Sequence, residues 1–121
     1  MKVVVVSEDF RSLSGKAGKA RRFLVFEAAR GVRPVLERYY ELPADAPTYH
    51  DLHDDDTTPF PFDGMDLITA EAGVGFSERL SRRGTRVHIT DERDPLTAVD
   101  LLVSGQLPSK EPTPQNTAGC S

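Results

Sequence analysis

The sequence predicts an α/β domain on a five-stranded mixed sheet of order 3-2-1-4-5, with strand 2 antiparallel and helices packed on the sheet. Three observations lead there. Residues 3–6 are a continuous apolar run, the pattern of a strand covered on both faces. Two more strand patterns follow, joined by the turn Ala29-Arg30-Gly31-Val32, so the chain folds back as hairpins. From residue 66 onward strand and helix patterns alternate, which calls for parallel strands linked by right-handed crossovers.

Each element has its own signals. Val3–Val6 is the central strand. Arg22–Ala28 is the second. Residues 33–41 alternate loosely, with Val35, Glu37 and Tyr39 set against Leu36, Arg38 and Tyr40, and make a third strand at an edge. Residues 43–63 are rich in Pro, Asp and His and leave room for one short helix around 48–53. Phe60 and Phe62 are expected to cap the core ahead of a fourth strand, Asp66–Ala70. Gly75–Arg83 reads as a short helix with Phe76 and Leu80 one turn apart, closed by Gly84. Arg86–Thr90 is the fifth strand.

The last helix is the best marked. Asp94 is its N-cap and Pro95 takes the first helical position. Leu96, Val99, Leu102 and Val103 form one apolar face, and Gly105 ends the helix. The resulting order, β-β-β-(α)-β-α-β-α, is that of a ribonuclease H-like motif. From Pro108 onward no periodicity remains, so residues 1–107 are read as one domain and 108–121 as a disordered tail.

Composition bounds the function classes. A chain of 121 residues holds one core, and 38% hydrophobic with 28% charged residues fits a globular protein. No apolar run approaches a membrane span, and the N-terminus enters a strand directly, without a signal peptide pattern. A single cysteine excludes an internal disulfide and an all-cysteine metal site within one subunit, and fits a reducing cytoplasm. Net charge is −4, unevenly spread: residues 11–38 hold eight Lys or Arg and two acids, whereas residues 39–78 hold ten acids and no Lys or Arg. These are either two solvated surfaces or a basic part facing an anion and an acidic part facing a metal or basic partner. The basic third lacks interleaved aromatics, which argues against nucleic acid.

Two constellations carry chemistry. The proposed strand order makes strands 1 and 4 neighbours, so the loops after them meet at the carboxyl end of the sheet, where ligands favour the crevice. Ser14, Gly15, Lys16, Gly18 and Lys19 would form one wall. The facing wall is Glu71-Ala72-Gly73-Val74-Gly75, whose Gly73 and Gly75 stand at the start of a helix with amides turned toward an anion. Read more plainly, the four glycines only permit tight turns. The second constellation is Tyr49 to Asp56. On a helix His50 and His53 share a face, and with a nearby carboxylate they would hold Fe, Zn or Cu; otherwise the segment is a solvated polar loop. His88 lies inside the fifth strand, where a packed, hydrogen-bonded histidine is expected. Cys120, in the tail, reads as an inert thiol.

Enzymatic signatures are missing. Val3–Ser7 carries none of the acids that two-metal nucleases of this architecture need. The glycine loops match neither a P-loop nor a dinucleotide fingerprint, and no nucleophile–base arrangement stands out.

Three segments, SGKAGKARRFLVFE at 14–27, AEAGVGFSERL at 70–80 and VHITDERDPLTAVDLLVSGQL at 87–107, resemble the dinitrogenase iron-molybdenum cofactor biosynthesis family, the NifX-like group. The resemblance covers about residues 2–107. It implies the ribonuclease H-like fold and a non-enzymatic carrier of an iron–sulfur or iron–molybdenum cluster, working with cofactor-assembly or acceptor proteins as a monomer or weak homodimer. The family has His after Ser-Gly, the implied metal ligand, and this chain has Lys16 there. A protonated amine does not coordinate a metal, but it pairs with an anionic cluster or a carboxylate. A mononuclear metal-binding protein using His50 and His53, or a scaffold domain binding a partner through the edge strand, are the alternatives.

Overall fold

A computed structural model describes residues 1–52 and 57–111. The strands are β1 (Lys2–Val6), β2 (Arg22–Ala29), β3 (Val32–Glu41), β4 (Asp66–Thr69) and β5 (Arg86–Ile89), and the helices are α1 (Val74–Arg82) and α2 (Pro95–Val103). They form one sheet of order β3-β2-β1-β4-β5. β2 runs antiparallel to β1, with Val4 opposite Val25, and β3 antiparallel to β2. β4 runs parallel to β1, with Val4 opposite Leu67, and β5 parallel to β4. The predicted α/β architecture, strand order and antiparallel strand 2 are those observed, each strand end falling within a residue or so of its sequence limits.

Alternation along the strands divides the core in two. Val4, Val6, Phe23, Val25 and Leu67 point to one face, where Phe76 and Leu80 of α1 and the aromatics Tyr49, Phe60 and Phe62 cover them. Val3, Val5, Leu24, Phe26 and Ile68 point to the other, under Ala98 and Val99 of α2. Phe60 and Phe62 thus cap the core ahead of β4, as their place among prolines predicted. Phe23 and Phe76 are fully buried, each contributing ~1.5–3 kcal/mol by leaving water.

Both helices stop in the same way. Gly84 (φ 76°) follows α1 and Gly105 (φ 76°) follows α2, each in the left-handed region that glycine enters without strain. The Thr85 amide then donates to Leu80 and the Gln106 amide to Leu101, the pairing of a Schellman ending.

Residues 49–52 are a hydrogen-bonded turn, and residue 53 of the short helix expected around 48–53 lies outside the described residues. The Thr48 amide donates to the Asp51 carboxylate at 2.9 Å, and the Asp51 amide to the Thr48 hydroxyl at 3.3 Å. This is the reciprocal bonding of a helix start, with only one turn behind it before the described residues end at 52. At the other end of the chain, residues 108–111 are irregular but tied to the sheet: the Lys110 amide donates to the Ile89 carbonyl at 2.6 Å and its ammonium meets Asp91 at 3.0 Å. The remainder of the expected tail, with Cys120, lies outside the described residues. Among the described residues no helix is long and apolar enough to cross a membrane.

Candidate functional site

The site is built at the carboxyl ends of β1 and β4. Leaving β1, the chain makes a tight turn organised by Asp9. The Arg11 and Ser12 amides and the Ser12 and Ser7 hydroxyls all donate to its carboxylate. Those bonds, the Ser12 amide foremost, pull the Asp9 carboxyl down to about 2, so it stays an anion and a fixed acceptor throughout the neutral range. The Ser14 amide returns to the Val6 carbonyl at 3.1 Å, and the Ser14 hydroxyl accepts from the Glu8 amide at 3.0 Å.

Gly15 comes next with φ 94°, a conformation an L side chain adopts only with strain. A Cβ there would also stand 2.8 Å from the Glu8 Cγ. Gly15 is therefore needed for its backbone. Gly18, Gly73 and Gly75 have no positive φ, so the tight-turn explanation reaches only one of the four glycines in the two walls. Ala17–Lys19 form one turn of 3-10 helix, which leaves Lys16 and Lys19 exposed and Ala17 and Gly18 buried.

The two predicted loops do meet. Lys16 pairs with Glu71 as a single parallel bridge, the Ala17 amide donating to the Glu71 carbonyl at 3.4 Å. The buried Thr69 hydroxyl at the end of β4 reaches the Gly15 carbonyl at 3.3 Å. α1 begins directly beyond, at Gly73, with no side chain capping its amides and no acidic residue in its first turn. The positive end of that helix is thus left without a complementary charge from its own turn.

The contact that sequence reasoning missed joins the two constellations. The His50 amide donates to the Gly18 carbonyl at 2.7 Å, fastening the Thr48–Leu52 turn onto the lysine turn. Beneath His50, Tyr49 stacks on Phe60 with ring centroids 3.8 Å apart and meets Phe76 edge-on. Burial pushes the Tyr49 hydroxyl far above its ordinary pKa and keeps it neutral. Arg21 holds the stretch that precedes this turn, donating to the Pro43 and Ala46 carbonyls at 2.8 and 3.0 Å. The Thr48 amide and hydroxyl, with Arg21 and His50 nearby, hold the Asp51 carboxyl below the ordinary range. No spacing in the sequence announces that His50 lies against Gly18. The one available signal was that aromatics on either side of the polar stretch had to reach the core.

The site therefore presents two ammonium groups (Lys16 and Lys19), one half-buried imidazole-bearing residue (His50), the carboxylates of Glu8, Asp51 and Glu71, and the uncapped start of α1. His53 lies outside the described residues. Among the described residues no three of His, Cys, Asp and Glu are grouped to hold a metal ion. His88 is elsewhere and structural: its Nε2 lies 3.0 Å from the buried Asp66 carboxylate, as expected of a packed strand histidine.

No protein-family model and no curated protein matches the chain. The crystal structure of PH0822 is similar to it, with a TM-score of 0.61 over 91% of this chain and 95% of that chain. Sequence identity is 19%, so the likeness is one of fold. It agrees with the mixed five-stranded sheet.

Proposed function

We propose that the protein is a non-enzymatic carrier of an iron–sulfur or iron–molybdenum cluster, acting with cofactor-assembly or acceptor proteins in the cytoplasm. The observation that carries this reading is the 2.7 Å bond between the His50 amide and the Gly18 carbonyl. It sets His50 against the turn that carries Lys16 and Lys19, beside the loop that leads into a helix start without a cap. Such a cargo is an anion with open coordination positions. The ammonium groups and the α1 dipole answer its charge, and the His50 ring offers nitrogen as a donor atom. Lys16 acts here by charge and not as a ligand. The exposed rim of lysines and carboxylates lets the cargo be handed on, which a carrier needs.

The test is anaerobic incubation with a donor protein or synthetic cluster, followed by desalting and analysis of iron, molybdenum and sulfide. Iron retained with sulfide in a fixed ratio supports the carrier. Iron or zinc retained without sulfide moves the function to mononuclear metal binding by His50 and His53. Loss of all metal on desalting overturns both.

A further inference from the structure

We infer that a buried water molecule bridges the Tyr49 hydroxyl and the Asp63 carboxylate, tying the turn that carries His50 to the end of α1. Among the described residues three buried side-chain polar atoms have no hydrogen-bond partner: Tyr49 Oη, Asp63 Oδ1 and Ser77 Oγ. Tyr49 is 2% exposed and belongs to the core on the α1 side of the sheet. A hydroxyl or carboxylate oxygen taken out of water without a replacement bond is costly, so native proteins pair nearly all such groups, with protein or with ordered water.

The first two of these atoms share neighbours. The Tyr49 ring stacks on Phe60 with centroids 3.8 Å apart, and the Phe60 amide donates to Asp63 Oδ2 at 3.1 Å. Arg83, its side chain 5% exposed, donates from Nη1 to the same Oδ2 at 3.2 Å and to the Thr58 carbonyl at 2.7 Å. These bonds fall on Oδ2 and leave the lone pairs of Oδ1 unfilled. Burial does most to raise the Tyr49 pKa. The Asp63 charge raises it further and the Arg83 charge lowers it, so the hydroxyl lies in the field of that ion pair. The neutral phenol has a proton to give, and Asp63 Oδ1 has only lone pairs to offer. The two are complementary, yet they do not bond to each other. A water serves both: its oxygen accepts from the Tyr49 O–H, and one of its own O–H groups donates to Asp63 Oδ1. Charge selects a neutral occupant, because a cation would meet Arg83 and an anion Asp63. Both oxygens are sealed from solvent, which favours the smallest molecule that can donate and accept at once. Tyr49 directly precedes His50, and Arg83 directly follows α1, so the bridge spans from the site to the far end of that helix.

A crystal structure fine enough to show ordered solvent tests the bridge, and Tyr49→Phe tests its weight. One solvent peak is expected within about 3.0 Å of both Tyr49 Oη and Asp63 Oδ1, and it is expected to be gone in Tyr49→Phe crystals. Urea denaturation then reads a difference of sign. With the water in place, Tyr49→Phe removes a satisfied hydroxyl and loosens the bond to Asp63, so the ratio of folded to unfolded protein is expected to fall by about fivefold. An orphaned hydroxyl gives the opposite result, since its removal leaves the stacked ring in place and one fewer buried polar group unpaired. Three outcomes overturn the inference: no solvent peak at that position, a direct bond from Tyr49 Oη to a protein group, or a Tyr49→Phe variant at least as stable as wild type. None of these readouts depends on metal or on the proposed cargo.

Discussion

The two helices begin in opposite ways. α2 starts with Asp94, whose carboxylate accepts from the Thr97 amide at 2.9 Å, followed at once by Pro95. α1 starts with Gly73, with neither a cap nor an acid in its first turn. The chain supplies a fixed negative charge to the helix outside the site and withholds one from the helix that opens into it. A capped N-terminus serves the fold alone. An uncapped one, set beside Lys16 and Lys19, leaves its field for something else to complete, and this difference supports an anionic cargo at α1.

The largest effect that separates the helices lies in their packing. α1 is held chiefly by Phe76 and Leu80, α2 by the smaller Ala98 and Val99. Phe76→Ala is expected to cost about 3–5 kcal/mol in chemical denaturation, more than any truncation on α2. A loss below 1 kcal/mol would mean that Tyr49 and Phe60 refill the space. Next comes charge at the site: Lys16→Glu is expected to lower cluster retention by about tenfold while leaving stability within about 0.5 kcal/mol, because Lys16 is exposed. Unchanged retention would remove Lys16 from the site.

Asp94→Ala is expected to destabilise the protein by ~1 kcal/mol, seen as faster hydrogen exchange in the first turn of α2 and not in α1. pH reads the same contrast without mutation. The Thr97 hydroxyl and amide hold the Asp94 carboxyl below its ordinary range. That cap's contribution is therefore complete above about pH 4, the ordinary aspartate value, and is lost as pH falls through the lowered folded one. Amide exchange at α2 should rise below that point, and a flat profile would deny the cap its role. The smallest effect sharpens the comparison most. Gly73→Ser gives α1 the cap it lacks and is expected to raise stability by ~0.3 kcal/mol while weakening cluster retention, since the new hydroxyl occupies the amides a cargo would meet. Stronger retention would mean that the helix start takes no part.

Some of the site was legible in the sequence. Parallel β1 and β4 follow from the alternation of strand and helix patterns, and with them the meeting of the Gly15–Lys19 loop and the Glu71–Gly75 loop. The need for glycine was legible only as a composition. Of the four glycines in the two walls Gly15 alone carries a positive φ, and the clash with Glu8 that excludes a Cβ belongs to a side chain seven residues away. Of the short helix expected around His50, the described residues show a single capped turn, in which the Leu52 amide donates to the Thr48 and Tyr49 carbonyls while the His50 amide goes to Gly18.

The sequence by itself determined the sheet order, the ends of both helices and the two-sided core, because each depends on local periodicity or on a glycine, proline or aspartate at a fixed offset. The placement of His50 on the lysine turn and of the Thr69 hydroxyl on Gly15 was decided by tertiary structure alone. Each joins residues far apart in the chain through backbone carbonyls, and those groups are the same in every residue and leave no mark in the pattern of side chains.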